Sequence, residues 1–132
     1  MSTRSRIGIE QEDGTVRSIY CHSDGGPGHQ LPILQVHYKD REKVEKLIQL
    51  GDISYLAPEV EIPKGSDHSF ENKDHRIVCA YHRDRGEDYH EPSVDPSADA
   101  YFRGDIEEWG YLFTKDGEWV FTKDGEWVYR KG

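Results

Sequence analysis

Residues 76–88 read Arg-Ile-Val-Cys-Ala-Tyr-His-Arg-Asp-Arg-Gly-Glu-Asp, and we expect the rest of the chain to be organised around this segment. The continuous apolar run over residues 77–80 is typical of a strand that is covered on both faces. We predict that Tyr81 and His82 complete this strand. Gly86 then allows the chain to turn, because glycine adopts positive φ at little cost.

A cluster of charged residues follows the predicted strand. Arg83 and Arg85 carry guanidinium groups and His82 adds an imidazole, so the end of a central strand offers donors for an anion. In the alternative reading, Arg83 and Arg85 pair with the neighbouring carboxylates and form an ordinary solvated strand exit; these carboxylates are Asp84, Glu87 and Asp88.

Length and charge restrict the possible functions. A chain of 132 residues predicts a single domain with one modest core. The net charge of −9 argues against a duplex-DNA binder but allows a small anionic ligand at a local arginine cluster, or docking on a basic surface. With no apolar run of membrane-spanning length and no signal-peptide pattern, we expect a cytoplasmic protein without membrane contact.

The two cysteines are predicted to be structural. Cys21 and Cys79 lie at the ends of apolar runs, where a cytoplasmic protein uses cysteine as a small buried residue rather than in a disulfide. Neither belongs to a Cys-x-x-Cys pair, which excludes a zinc ribbon.

The N-terminal region predicts an antiparallel hairpin. Apolar residues alternate over 7–9, strand formers fill 16–21, and an Asp-Gly turn stands between them at 13–14. The second strand ends in a glycine-rich loop at residues 22–28, where backbone can approach a ligand closely.

Two helices are predicted after this loop. A short one begins near Pro32, since proline is tolerated in a first helical turn. The second covers residues 41–50, with Asp40 as its N-cap and Gly51 just past its end. Its predicted buried stripe consists of Val44, Leu47 and Ile48.

Two long stretches read as connections. Residues 57–74 are rich in proline, glycine, serine and charge, and predict an exposed connection anchored at His68-Ser69-Phe70. Residues 87–108 predict an acidic loop, since they contain eight carboxylates and one arginine.

The C-terminus carries an uninterrupted tandem repeat. Phe-Thr-Lys-Asp-Gly-Glu-Trp-Val occupies residues 113–120 and again residues 121–128. Each copy combines an Asp-Gly turn with an aromatic strand, which predicts a β-meander over 109–114, 118–122 and 126–130. An exposed aromatic edge favours pairing between chains, so we expect a homo-oligomer.

These elements predict one α+β domain. We expect an antiparallel sheet of five or six strands, two helices on one of its faces, the C-terminal meander, and long loops gathered at one edge.

Two His-x-Asp pairs, His22-Ser23-Asp24 and His82-Arg83-Asp84, each end a predicted strand. If those strands are neighbours, the pairs supply ligands for a divalent metal, or a general base with an orienting carboxylate. A small metal-dependent hydrolase is therefore one alternative, although no serine or cysteine lies in a nucleophile motif.

Binding without catalysis is the other use of these segments. An aromatic face, phosphate-pairing arginines and a carboxylate for ribose or base edges together suit a nucleotide-sized ligand. No catalytic residue and no cofactor are predicted. The predicted ligand-binding residues are His22, Asp24, Gly25, Gly26, Tyr81, His82, Arg83 and Arg85.

Several motifs together resemble a family of small proteins found in phages and prophages, and the resemblance covers most of residues 2–90. They are Ser-Thr-Arg-Ser-Arg-Ile-Gly-Ile at 2–9, Ile-Tyr-Cys-His-Ser-Asp-Gly at 19–25, His37-Tyr38, Lys43-Val44, Leu47-Ile48, Leu-Gly-Asp-Ile-Ser at 50–54, and Tyr-His-Arg-Asp-Arg-Gly-Glu at 81–87. The chain departs from this pattern at Gly26, where the family usually has an aromatic residue, and in its duplicated tail.

The resemblance implies a phage anti-defence factor that acts in the infected bacterial host, and the nearest functional group is the Thoeris anti-defence sponges. The expected function is therefore sequestration of a cyclic or glycocyclic immune nucleotide without cleavage. The main rival is an acidic protein inhibitor of a host nucleic-acid-binding defence complex.

Overall fold

The computed structural model describes residues 3–69, 71–72, 74–103, 109–123 and 126–129, with side chains described as far as Phe121. The strands are β1 (Ser5–Glu10), β2 (Val16–Ser23), β3 (Ile53–Tyr55), β4 (Cys79–Ala80), β5 (Ser93–Asp95), β6 (Trp109–Phe113), β7 (Trp119–Lys123) and β8 (Glu126–Tyr129). The helices are α1 (Gln30–His37), α2 (Arg41–Gln49), α3 (Tyr81–Arg85) and α4 (Ala98–Arg103).

The described strands form one mixed sheet in the order β4-β3-β2-β1-β6-β7-β8, with β5 paired to β2. The α+β class and the antiparallel β1–β2 hairpin are confirmed. The prediction of an antiparallel sheet of five or six strands is wrong, because β1 pairs with β6 and β2 with β3 in parallel. A parallel pair needs a crossover connection, and α1 and α2 supply it between β2 and β3.

Helix α2 follows its sequence signals closely. The Asp40 side chain accepts the backbone N–H of Glu42 at 3.2 Å, as an N-cap does. Gly51 lies just past the helix with a φ of 79°, which favours glycine. The predicted stripe is buried, so the helix is confirmed. Helix α1 begins two residues before Pro32.

The central stretch departs from prediction after Ala80. The four apolar residues at 77–80 are at most 1% exposed, which confirms that they are buried. Tyr81 and His82 do not complete the strand, because they begin helix α3. The Asp84 carboxylate accepts the Ala80 N–H at 2.7 Å and so holds the first turn.

The acidic segment is more structured than predicted. Residues 93–95 form β5 against β2, and residues 98–103 form α4. Tyr101 and Phe102 are buried in a second apolar cluster with Val16, which explains why the chain is ordered there. Residues 104–108 lie outside the described part of the chain.

The C-terminal meander is confirmed, since β6–β7 and β7–β8 pair antiparallel. Gly117 turns the first hairpin with a φ of 83°, whereas the predicted turn at 124–125 lies outside the described residues. Trp119 is buried, and its indole N–H donates to the Tyr38 carbonyl at 2.9 Å. This tryptophan therefore belongs to the core.

Candidate functional site

The two predicted site segments leave the sheet at opposite ends. Strand β2 runs parallel to β3, whereas β4 runs antiparallel to β3. The register places Ser23 opposite Tyr55, and Tyr55 opposite Cys79, so the end of β2 lies level with the beginning of β4. The chain consequently leaves β4 at the far end of this pair, away from Asp24.

Four of the eight predicted residues line three separate depressions. Asp24 lines a cavity of about 240 Å³ together with Tyr55. Tyr81 and His82 line a small cavity of about 70 Å³. Arg83 lines an open groove of about 560 Å³ beside α2. Within the described part of the chain, the two segments therefore do not meet in one cationic cavity, and the convergence that the sequence prediction assumed is not observed.

In the first segment, Gly25 is structural. Its N–H donates to the Thr3 carbonyl at 2.9 Å, and its carbonyl accepts the Tyr111 hydroxyl at 2.7 Å. A Cβ atom at this position would lie 2.7 Å from the Ser5 side chain. This glycine is required by close packing, so its N–H is not available to an anion.

The other residues of this loop are less constrained. The carbonyl of Gly26 accepts the N–H of His29 and of Gln30 at the start of α1. His22 contacts the Tyr20 hydroxyl through Nδ1 at 2.8 Å. Asp24 is exposed, with a φ of 55°. Its side chain makes no hydrogen bond or ion pair with a described residue, so it remains available to a ligand.

In the second segment, Arg83 and Asp84 form an ion pair inside the fold. The Arg83 Nε atom lies 2.9 Å from Asp84 Oδ1, and Nη2 lies 3.1 Å from Oδ2. Arg83 also donates to the carbonyls of Val78, at 2.7 Å, and Val60. The Asp84 side chain is only 1% exposed. The alternative that the arginine pairs with a neighbouring carboxylate is confirmed, but the carboxylate is buried and the Arg83 side chain is only partly exposed.

His82 and Arg85 face outward on the same short helix. His82 Nδ1 lies 2.7 Å from the Glu87 carbonyl oxygen, and its ring packs edge-on against Tyr89. Arg85 forms an exposed ion pair with Glu87 at 3.4 Å. Burial raises the pKa of the neighbouring Tyr81 hydroxyl. Since His82 and Asp84 point into different surroundings, the second His-x-Asp pair does not act as a unit.

The histidine that meets Asp84 is His68, from the connection between β3 and β4. Its side chain is fully buried, and its Nδ1 accepts the N–H of Asp74 at 2.9 Å. The neutral ring therefore carries its proton on Nε2. That atom lies 3.4 Å from Asp84 Oδ2 and makes no hydrogen bond with a described residue. His68 thus anchors the long connection, as predicted, whereas Phe70 lies outside the described residues.

This cluster offers donor types that metals use. Donor atoms of His68, Cys79 and Asp84 lie within 4.8 Å of one another, and such an N, S and O set suits zinc. Asp84 Oδ2 nevertheless already accepts from Ala80 and Arg83, and the neutral His68 ring turns its protonated Nε2 towards this carboxylate. The arrangement therefore fits a buried hydrogen-bonded cluster better than a metal centre.

Neither the contact of His68 with Asp84 nor the inward orientation of the Arg83 side chain was predicted from the sequence. A lone histidine within a polar connection is the only local signal for His68, and it does not identify a partner 16 positions away at Asp84. Arg83 is followed by a carboxylate, and the alternative reading had named that pair.

Some basic side chains bind groups inside the fold. Among the described residues, four lysines and arginines donate to backbone carbonyls of other segments. The pairs are Arg6 to Ser18, Arg41 to Glu10 and Thr114, Lys43 to Pro58, and Arg83 to Val60 and Val78.

The uneven distribution of charge is clearest in residues 87–99, which we call the acidic face. It contains five carboxylates and neither lysine nor arginine. Asp88, Glu91 and Asp99 are exposed. Tyr89 and Val94 are exposed by 39% and 66% on the same segment. An interface commonly combines exposed apolar residues with a polar rim, so this face has the composition of a docking surface.

No family model, curated protein or solved structure matches the chain. None of the helices in the described part of the chain has the length and apolar character that crossing a bilayer requires.

Proposed function

We propose that the protein is a non-enzymatic phage anti-defence factor. It docks through the acidic face on a basic surface of a host defence complex that normally holds nucleic acid. The observation that carries the proposal is the distribution of charge: four lysines and arginines of the described residues bind backbone carbonyls of other segments, while Asp88, Glu91 and Asp99 are exposed on a segment with neither lysine nor arginine. Complementary potentials favour encounter with a basic partner and suppress other contacts.

The test uses tagged protein produced in infected host cells. The wild type is expected to retain a host complex and to displace nucleic acid from it, in a manner that weakens as salt is raised. The triple variant Asp88→Asn, Glu91→Gln, Asp99→Asn should lose about tenfold in affinity for that complex.

A matched control removes three exposed carboxylates outside the acidic face. The variant Glu12→Gln, Asp67→Asn, Glu71→Gln has the same net charge as the first triple variant, so non-specific attraction falls equally in both. Equal loss in the two triple variants, or no competition with nucleic acid, contradicts the proposal.

Self-association through the C-terminal strands stays a prediction. Light scattering of the purified protein measures it.

Sequestration of an immune nucleotide is the second candidate, and the groove beside α2 favours it. Its volume of about 560 Å³ is of nucleotide size, and Arg17, Lys46 and Arg83 line it. Three glutamates on the same walls, together with the commitment of Arg83 to Asp84, place this candidate second.

Calorimetry with cyclic and glycocyclic nucleotides separates the two candidates. A sponge binds one of them, releases it intact after denaturation, and loses binding in Arg17→Glu but not in Arg4→Glu, an exposed residue outside the groove. A substitution at Arg83 is uninformative here, because it would leave Asp84 buried without its partner.

A further inference from the structure

The cavity beside Asp24 has a composition that differs from the rest of the surface. It lies where β2 and β3 end, and its volume is about 240 Å³. Of the described residues that line it, none is lysine or arginine, whereas Asp24 and Asp74 bring carboxylates and Ser23 and Ser54 bring hydroxyls. Since Arg76 compensates the charge of Asp74, the Asp24 carboxylate is the group that makes this cavity more favourable for a cation than for an anion.

One wall of the cavity is aromatic. The Tyr55 ring lies 5.1 Å from the ring of His29 and 6.2 Å from that of His75, between ring centroids. The negative face of a tyrosine ring attracts ammonium and guanidinium groups. Asp24 lines the same cavity as this tyrosine, and its charge contributes, after burial, to the raised pKa of Tyr55.

The two carboxylates are not equivalent. Asp74 binds Arg76 through both oxygens, at 3.2 and 3.0 Å, so its charge is compensated. The Asp24 side chain has no ion pair within the described part of the chain. Its backbone is held at a φ of 55°, a conformation that aspartate and asparagine tolerate better than most residues.

We propose that this cavity binds the head group of a small organic cation, a primary ammonium or a guanidinium, between the Asp24 carboxylate and the Tyr55 ring. The carboxylate supplies charge and hydrogen-bond acceptors, and the ring supplies a flat face. Such a group can belong to a free polyamine or to a lysine or arginine side chain of a basic protein.

The experiment is an NMR titration of the full chain with agmatine and putrescine, and in separate arms with the Nα-acetyl amides of arginine and lysine. Saturable shifts centred on Asp24 and Tyr55, at concentrations up to about 5 mM, are the expected result. Binding of the free amines alone identifies a polyamine-type ligand. Binding of the capped amino acids identifies a side chain of a partner protein.

Three variants make the test specific. Asp24→Asn keeps the shape and the backbone preference but removes the charge, and it should weaken binding at least fivefold. Tyr55→Leu removes the ring and should also weaken it. Asp67→Asn changes the net charge by the same amount elsewhere and should leave affinity unchanged. Equal weakening in Asp24→Asn and Asp67→Asn, or no saturable binding of any of the four cations, would overturn the proposal.

Discussion

Replacing Asp84 by asparagine is the most informative perturbation of this fold. The carboxylate lies at the junction of β4, α3 and the long connection, and it is 1% exposed. It accepts from Arg83 through both oxygens and from the Ala80 N–H, and His68 Nε2 lies 3.4 Å away. Asparagine has nearly the same shape, so the substitution changes charge and hydrogen bonding but little volume.

The expected cost follows from those contacts. In either amide orientation, the new NH₂ group faces a donor, either Arg83 Nε or the Ala80 N–H. Removing one partner of a buried ion pair costs about 3–5 kcal/mol. Because Arg83 is 24% exposed and is partly solvated, we expect the lower end, about 3 kcal/mol. For a domain of this size, that lowers the melting temperature by roughly 10 °C.

Urea unfolding followed by tryptophan fluorescence measures this change, since Trp119 is buried in the core. Asp67→Asn is the matched control, because Asp67 is exposed, and it should change stability by less than about 0.5 kcal/mol. A loss below about 1 kcal/mol in Asp84→Asn would refute the argument that this pair holds the junction.

The same assay tests the metal alternative for the cluster of His68, Cys79 and Asp84. If the cluster holds no metal ion, a chelator leaves the unfolding midpoint of the wild type unchanged. A chelator-dependent fall in that midpoint, absent in Asp84→Asn, would mean that the cluster holds a metal ion.

Tyr111→Phe removes the hydroxyl that donates to the buried Gly25 carbonyl, and it should lower the free energy of unfolding by about 1–2 kcal/mol in urea titrations. Burial raises the pKa of the Cys21 thiol to about 11, so near pH 8 the native protein should resist alkylation at Cys21, which mass spectrometry of the labelled peptide measures. Hydrogen bonds from Arg76 lower the pKa of Asp74 to about 2. Because the folded pKa lies below the unfolded one, this stabilisation is present above about pH 4 and is lost as pH falls towards about 2, and Arg76→Gln should raise the pKa in an NMR titration.

Elements with local signals were predictable from the sequence. The α2 helix is specified by Asp40, Gly51 and a 3.6-residue apolar stripe, and each signal acts within one or two turns. The hairpin at 13–14 and the first C-terminal turn at Gly117 are set in the same local way. Short-range steric and hydrogen-bonding preferences were sufficient for these elements.

Strand direction and site geometry depend on distant contacts, and prediction failed there. No local signal states that β6 joins β1 in parallel, about 100 positions along the chain. An anion site was predicted after β4 because charged residues follow an apolar strand there. The chain instead turns into a helix, since the Asp84 carboxylate reaches back to the Ala80 N–H.

The hydrogen bonds that basic side chains make inside the fold affect how the melting temperature depends on salt. Arg41 and Lys43 bind backbone carbonyls, and Arg83 binds carbonyls and a buried carboxylate, so these contacts are poorly screened. The exposed carboxylates repel one another at a net charge of −9. Raising sodium chloride from about 50 mM to about 500 mM should therefore leave the melting temperature unchanged or raise it slightly.

Docking of the acidic face on a basic partner should weaken over the same range, because those charges are exposed and screened. Stability and binding are thus expected to respond to salt with opposite sign. A fall in melting temperature of more than about 5 °C would show that surface ion pairs, such as Lys46 with Glu61, hold the fold more strongly than the internal contacts do.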